Sequence, residues 1–346
     1  MRGLMRGRLL VGFVAVAVLV PSVVLATHTF ADVPDGTYYT AAVEWAGDTG
    51  VTSGTSATTF SPNAPVTRAQ NVTFAYRYDQ NIVQPALAAI RQSPDRVVWV
   101  ADDGTGDFLL LSTALASITD ASASNPYVVR IAPGEYTETA TVALKTYVDV
   151  EGSGQGVTTI TCACGGADFD ASSATVSAGD IVAEIRHLTI NNTGGDTRSY
   201  GVYTEDVVDG SVSMSDVTAT ATGASTYNYG VYNESSSPSM LNVTATATGG
   251  NYSYGVYNYS SSPSMSNVTA TATGGTVNYG VVNTTSSSPS VRNSSFTGDD
   301  DSIYNSGSSS AQVADTMLDG TVDAGGGLTC VGAYDETFSA LNASCS

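Results

Sequence analysis

The second half of the chain is a run of short alternating segments that return at a fixed interval. Tyr229-Gly-Val-Tyr232 recurs as Tyr254-Gly-Val-Tyr257 and as Tyr279-Gly-Val-Val282, with a step of 25 residues and a Ser- and Pro-rich stretch after each copy. Alternation of apolar and polar residues is typical of β-strands with two unlike faces. Because turn residues separate the strands at this period, the pattern predicts a solenoid of stacked coils.

The period also predicts which side chains lie above one another. In residues 243–248 the valine and alanines are assigned inward and the threonines outward, since side chains alternate along a strand. Successive coils are expected to stack about 4.8 Å apart. The expected columns are Val231, Val256 and Val281; Met240, Met265 and Val291; and, at a turn, His187, Asp216, Asn242, Asn267 and Asn293, whose amides would share hydrogen bonds.

Residues 97–153 have an order of motifs that fits the start of such a solenoid. A predicted strand at 97–100 precedes Asp102-Asp-Gly-Thr-Gly-Asp-Phe108, a predicted helix at 111–118, a strand at 127–131 and a Pro133-Gly-Glu-Tyr136 turn. This order resembles the opening segment of pectinesterases, which belong to the pectin-lyase-like superfamily. The resemblance implies a mainly β fold, a right-handed parallel β-helix solenoid over residues 97–328, with a C-terminal cap at 329–346 that breaks the period.

Two short helices are predicted around a loop in residues 27–80. Trp45 on the first helix is expected to be buried, as is one side of the second helix with Val72, Phe74, Ala75 and Tyr78. Thr67 is expected to begin the second helix, with Gln70 as its capping-box partner. The motifs in chain order are Phe30-Ala-Asp-Val33, the Trp45 helix, Gly50-Val-Thr-Ser-Gly54, Phe60-Ser-Pro62 and Thr67-Arg-Ala-Gln70.

This motif order resembles the S-layer homology (SLH) module of bacterial envelope proteins. In that family a Thr-Arg-Ala-Glu segment contributes to binding an anionic cell-wall polymer. The resemblance implies that Arg68 pairs with an acidic group of the glycan and that Thr67 shapes the helix start. Gln70 replaces the family's glutamate, and one module is found where wall-anchoring proteins commonly carry three. The alternative is that Arg68 is a solvated helix residue and the module is a structural N-terminal cap.

The first 26 residues have the pattern of a signal peptide, with a retained anchor as the alternative. Arg2, Arg6 and Arg8 precede an apolar run at 9–25 that ends in small residues. Cleavage would change the formal net charge from −20 to −23. A chain this acidic repels nucleic acid and anionic membranes. We therefore expect a secreted, monomeric protein at the bacterial cell surface or cell wall, with no membrane insertion after signal removal. A linker is expected at 81–96.

The four cysteines of an exported chain predict disulfide chemistry. Pairing of Cys330 with Cys345 would close the C-terminal cap. Cys162 and Cys164 are too near each other for an easy bridge, since alternate strand residues lie about 6–7 Å apart, so they are either free or joined across a turn. No histidine lies near any of the four cysteines in sequence, so neither a zinc site nor a cofactor is predicted.

The sequence carries no recognisable catalytic constellation. The pectinesterase motifs Gln-Ala-x-Ala-Leu, Asp-Phe-Ile-Phe-Gly and Leu-Gly-Arg-Pro-Trp do not occur. The Gly298-Asp-Asp-Asp301 segment is interpreted as a solvated loop or weak cation site. His187 is interpreted as a member of the stacked column at the turn, a side-chain ladder. Threonine rows such as Thr244, Thr246 and Thr248 look like those of insect antifreeze proteins, although high β-propensity also explains them.

The repeated tyrosines are the remaining candidates for function. Tyr203, Tyr232 and Tyr257 form one row, which, if exposed, offers flat rings for sugars; the alternative is that stacked tyrosines only stabilise the coils. The first hypothesis is a cell-envelope protein with a non-catalytic β-helix for surface display or adhesion, whose partner is a cell-wall or extracellular polysaccharide. The second is a diverged polysaccharide-active lyase, esterase or hydrolase of the same superfamily.

Overall fold

The computed structural model describes residues 30–83, 96–207, 210–325 and 327–345. They form two compact units, one on each side of the gap at 84–95. The predicted signal peptide at 1–26 and most of the predicted linker at 81–96 lie outside the described residues. No helix within the described ranges is long and apolar enough to span a bilayer.

The N-terminal unit has two α-helices, α1 (Thr40–Asp48) and α2 (Arg68–Tyr78), and a π-helical turn at Asp79–Val83. Its small core contains Phe30, Val33 and Val43, with Phe60 packed against Phe30 at a ring separation of 5.8 Å. The Asp32 carboxylate accepts hydrogen bonds from the N–H groups of Phe60 (2.8 Å) and Ser61 (2.7 Å). These bonds tie the start of the unit to the loop before α2.

Two expectations for this unit are wrong. Trp45 is 46% exposed, and α2 buries none of its residues. Of the residues expected on its buried side, Val72, Ala75 and Tyr78 are exposed and Phe74 is half-buried. The physical reason is size, because so short a unit has little core to cover a second helix.

The second unit is a parallel β-solenoid, as predicted, and it has about eight turns. It contains α3 (Leu111–Ser117), a 3₁₀ turn (Ala171–Ser173) and 22 strands within the described residues. The strands are β1 Arg96–Val100, β2 Tyr127–Ile131, β3 Gly134–Glu138, β4 Val142–Ala143, β5 Val148–Glu151, β6 Thr158–Cys162, β7 Ala174–Ala178, β8 Ala183–Asn192, β9 Arg198–Glu205, β10 Val212–Thr222, β11 Tyr227–Glu234, β12 Ser239–Thr248, β13 Tyr252–Tyr259, β14 Ser264–Ser266, β15 Thr269–Thr273, β16 Val277–Thr284, β17 Ser290–Arg292, β18 Ser295–Asn305, β19 Ser310–Ala314, β20 Met317–Ala324, β21 Gly327–Val331 and β22 Tyr334–Asp335.

The strands stack into three parallel faces, and several long strands bend to serve two of them. The first face runs through β1, β2, β5, β8, β10, β12, β14, β17, β19 and β21. The second runs through β3, β6, β8, β10, β12, β15, β18, β20 and β22. The third runs through β4, β7, β9, β11, β13, β16, β18 and β20.

The predicted columns are confirmed by the strand register. Val231 pairs with Val256 and Val256 with Val281, while Met240, Met265 and Val291 form a second column. Both columns belong to one continuous aliphatic core. On the second face the alanines of residues 243–248 are buried and the threonines point outward, also as predicted.

Both ends of the solenoid are stabilised by specific contacts. At the start, α3 buries Leu111, Ala114 and Leu115, and the buried Glu138 carboxylate accepts hydrogen bonds from the N–H (3.1 Å) and hydroxyl (2.5 Å) of Ser112. At the end, a disulfide joins Cys330 and Cys345, whose Cα atoms are 5.3 Å apart. A second disulfide joins Cys162 and Cys164, with Cα atoms 5.1 Å apart, because β6 ends at Cys162 and the chain turns there.

Candidate functional site

The residues predicted to bind wall polymer lie at the start of α2. Thr67 caps the helix: its hydroxyl accepts from the Gln70 N–H (3.2 Å), and the Gln70 side-chain oxygen accepts from the Thr67 N–H (2.8 Å). This reciprocal pair fixes the first turn of the helix. Arg68 follows at the first helical position and is exposed, with no ion pair to any described residue. Its guanidinium is therefore free to meet an external acid.

The predicted tyrosine row lies on the third face, but its first two rings are buried. Tyr203 and Tyr232 are 1% and 5% exposed, and only Tyr257 is half-buried. Their rings stack on one another, with centroids 5.4 Å apart between Tyr203 and Tyr232 and 5.2 Å between Tyr232 and Tyr257. Ring faces that pack against each other are not available to a sugar. The expectation of an exposed glycan surface at Tyr203 and Tyr232 is therefore corrected.

A second tyrosine column explains this burial. Tyr200 and Tyr229 stack at 4.9 Å, and each meets Tyr232 edge-on at 5.2 Å and 5.1 Å. The tyrosines thus form a cluster of their own, separate from the aliphatic core that contains Val231. Tyr203 donates its hydroxyl hydrogen to Glu234 (2.7 Å). Burial, together with this bond, holds the pKa of Tyr203 well above its usual range.

A buried asparagine ladder runs behind the tyrosines, and the sequence analysis missed it. The side-chain amide of Asn233 donates to Asn258 (2.9 Å), Asn258 donates to Asn283 (2.8 Å), and Asn283 donates to Asn305 (2.7 Å). All four residues are buried. The signal was present, because Asn233, Asn258 and Asn283 each lie two residues after the valine of a repeated Tyr-Gly-Val segment, inside a strand where asparagine is otherwise disfavoured.

The predicted turn ladder is also present, on the outside of the coil between the first and second faces. His187, Asp216, Asn242, Asn267 and Asn293 all have φ between 48° and 58°. Asn267 donates to Asn242 (2.9 Å), Asn242 donates to Asp216 (3.0 Å), and His187 Nδ1 lies 3.3 Å from Asp216 Oδ2. These short polar side chains tolerate the left-handed backbone of the bend.

The acidic segment at 299–301 is not a loop, contrary to expectation. It lies within β18, where the strand bends from the second face to the third. Asp300 accepts a hydrogen bond from the Asn278 N–H (2.8 Å), and burial raises the pKa of Asp301. No group of three or more metal-ligating side chains occurs among the described residues. The outward threonines keep a regular register over the coils.

Comparison with known proteins finds a family match for each of the two units. Residues 29–70 match the family model of the S-layer homology domain, and residues 97–230 match that of pectinesterase. The pectate lyase Pel9A has a TM-score of 0.51 at 12% identity over 70% of each chain. ORF18 of Geobacillus virus E2 has a TM-score of 0.50 at 11% identity over 75% of this chain and 55% of that one. Pectin methylesterase from carrot has a TM-score of 0.49 at 18% identity over 69% of this chain and 80% of that one. Among proteins of curated function, none matches.

These findings define the class of protein. The fold is that of the pectin-lyase-like parallel β-helices, and the first coils are similar to pectinesterases. An S-layer homology domain precedes this solenoid, and such a domain indicates attachment to a bacterial cell surface. The chain thus combines an N-terminal segment similar to the S-layer homology domain with a parallel β-solenoid whose first coils are similar to pectinesterases.

Proposed function

We propose that this protein attaches to an anionic wall polymer through Arg68 and carries its β-solenoid as a non-catalytic rod for display or glycan adhesion at the cell surface. The observation that carries the proposal is the free guanidinium of Arg68, held at the capped start of α2 within an S-layer homology domain. An exposed cation on a fixed helix turn suits a polymer acid group, because it need not break an existing ion pair to bind.

Two features favour a rod over an enzyme. The sequence lacks the three pectinesterase motifs that hold acid, base and oxyanion groups. On the third face, Tyr200, Tyr203, Tyr229 and Tyr232 pack ring to ring and are buried, so their hydroxyls are not presented to a substrate. A diverged polysaccharide-active enzyme is the second candidate, favoured by the match of residues 97–230 to pectinesterase.

Retention on purified cell walls tests the attachment. Arg68→Ala is expected to lower the bound fraction of the full chain by about tenfold, the effect of losing one charge-assisted contact. Arg77→Ala is the matched control, since Arg77 lies on the same helix and its guanidinium only approaches the Ser53 hydroxyl at 3.5 Å. Equal retention of the Arg68→Ala variant and the unmodified protein would contradict the proposal.

Incubation with polysaccharides tests the absence of catalysis. The purified chain is expected to release no methanol, unsaturated product or reducing ends from pectins, alginate and neutral glycans. Release that depends on intact protein would make it an enzyme and overturn the non-catalytic reading, whatever the wall assay gives.

A further inference from the structure

A groove of about 510 Å³ lies on the outside of the first face, away from the tyrosine cluster. It lies where the first coils meet the Gly152-Ser-Gly154 turn, and its side-chain lining includes Trp99, Arg130, Glu151 and His187. Trp99, Arg130, Glu151 and Arg186 are successive register partners on β1, β2, β5 and β8. Four neighbouring coils thus place an aromatic ring, two cations and an acid in one column.

Trp99 gives this groove an aromatic wall. Its side chain is 48% exposed although it lies on a strand at the head of the solenoid. The Arg130 guanidinium lies 5.8 Å from the ring centroid and holds the indole by a cation–π contact. A half-exposed, fixed ring offers an apolar surface to a ligand without the entropy loss of ordering it.

The polar groups beside the ring are fixed and have hydrogen-bonding capacity left. Arg130 Nε and Arg186 Nη2 both bind Glu151 Oε2, at 3.3 Å and 3.2 Å, and Glu151 Oε1 has no partner among the described residues. Burial raises the pKa of Glu151, but the neighbouring Arg186 and Arg130 outweigh it and hold the pKa below its usual value. Glu151 is therefore an ionised acceptor at neutral pH.

The turn that forms the edge of the groove is tied to the neighbouring coil. The Gly152 N–H donates to the Arg186 carbonyl (2.9 Å), and the Gly154 N–H donates to the His187 carbonyl (2.7 Å). The Ser153 hydroxyl donates to the Ile131 carbonyl (2.9 Å) and keeps its lone pairs for an external donor. The edge is thus formed in advance of any ligand.

The groove has no surplus of cations over acids, which favours one class of ligand. Arg130 and Arg186 face Glu151 and Glu184, and His187 faces Asp216. The whole chain has a formal charge of −20. A polyanion would find no surplus cation here and would be repelled at long range. A neutral ligand with an apolar face and several hydroxyl groups matches both the ring and the paired polar groups.

We propose that this groove binds a neutral pyranose sugar of an extracellular glycan. The apolar face of the sugar ring lies on the part of the Trp99 indole that Arg130 leaves exposed, and its hydroxyls bind Arg130, Glu151 and the free ring nitrogen of His187. The proposal deepens the proposed function by giving the rod a defined sugar site, and it rests on that function only in that the rod meets glycans outside the cell.

Soluble oligosaccharides and the purified full chain test the site. The chain has two tryptophans, Trp45 and Trp99, so a Trp45→Phe variant leaves Trp99 as the only indole reporter. Gluco-, manno-, galacto- and xylo-oligosaccharides are titrated by fluorescence and calorimetry, with oligogalacturonate as the anionic comparison. At least one neutral series is expected to change Trp99 emission and to bind more tightly than oligogalacturonate.

Variants then locate the binding. Trp99→Ala is expected to weaken binding of the neutral sugar by about tenfold, measured by calorimetry, whereas Trp99→Phe keeps an aromatic face and most of the affinity. Arg130→Gln is expected to weaken it similarly. Arg292→Gln is the matched control, because Arg292 lies in the same column of the first face on the distant strand β17.

Three outcomes would overturn the proposal: no binding by any neutral series, tighter binding of oligogalacturonate, or full affinity in a folded Trp99→Ala variant. Folding of each variant is checked by its thermal transition. Since no cell wall is present in these titrations, their failure is distinct from a failure of wall retention through Arg68.

Discussion

At the scale of single residues, the main feature of this protein is its set of buried tyrosine hydroxyls. Tyr200 is fully buried and its hydroxyl has no hydrogen-bond partner among the described residues, whereas Tyr203 donates to Glu234. The repeat predicted that Tyr203, Tyr232 and Tyr257 form a row, and left open whether this row is exposed or only stabilises the coils. The sequence could not decide between the two, because exclusion of solvent depends on packing between coils rather than on the pattern within one.

Alkaline pH is expected to show this burial directly. Burial raises the pKa of Tyr200, Tyr203, Tyr229 and Tyr232 above 10.0, since the phenolate is the form that loses solvation. A raised folded pKa contributes stability that is complete below the unfolded pKa and is lost as pH rises through the folded value. The solenoid is therefore expected to stay folded up to about pH 10 and to lose stability above it.

Ultraviolet absorbance of tyrosinate, followed with circular dichroism, measures this effect. In the native protein a fraction of the tyrosines is expected to ionise only together with loss of β-structure, while in denaturant all ionise in one step. Complete ionisation near the usual tyrosine pKa with the fold intact would contradict the account.

At the scale of structural elements, two amide ladders join the coils, one inside and one outside. The outer ladder of Asn242 and Asn267 was predicted from its 25-residue spacing. The inner ladder of Asn233, Asn258, Asn283 and Asn305 was not, because sequence reasoning assigns asparagine to turns before it assigns it to a buried strand. Within the core the hydrogen bonds of each such amide must come from its neighbours in the coils above and below. The ladder therefore forms only when the coils stack in the correct register.

Asn258→Ala is expected to lower the free energy of unfolding by about 3 kcal/mol. It leaves the side-chain N–H of Asn233 and the side-chain oxygen of Asn283 buried without these partners, and each such group costs about 1–3 kcal/mol. Denaturant unfolding measures the change. Asn267→Gly is the control: it removes an exposed ladder bond at a φ of 54°, which glycine adopts freely, and is expected to cost less than about 1 kcal/mol. Equal costs for the two variants would argue against the inner ladder as a source of stability.

At the scale of the whole molecule, stability is distributed along the stack, because each coil contacts only its neighbours. The sequence predicted this architecture and the register of the core columns, since the repeat period and the alternation act on the same residues. It predicted the N-terminal unit less well. Trp45 and α2 are exposed there, because amphipathic spacing alone does not tell whether a partner surface is present.

The Cys330–Cys345 disulfide is expected to limit fraying at the C-terminal end of the solenoid. The Cys330–Cys345 disulfide closes a loop with a sequence separation of 15, and a loop of that length contributes about 3 kcal/mol. In a variant with both cysteines replaced by serine, amide hydrogen exchange is expected to rise first in β19, β21 and β22, with β11 little changed.

The second disulfide supplies the control for that experiment. Cys162 and Cys164 are separated by only two positions, so replacing both with serine removes little loop entropy and is expected to change exchange far less. Uniform exchange along the whole solenoid in the Cys330→Ser, Cys345→Ser variant would rule out local fraying from this end.

The inner ladder has a consequence for how such a chain changes in evolution. The Asn258 side chain donates a hydrogen bond to Asn283 in the next coil and accepts the equivalent bond from Asn233 in the previous coil. A duplicated 25-residue unit inserted between two coils would therefore re-form the ladder hydrogen bonds to the coils before and after it. Unequal recombination among near-identical repeats would thus alter the length of the solenoid in steps of one strand spacing, about 4.8 Å, while leaving the N-terminal unit and both ends of the stack unchanged.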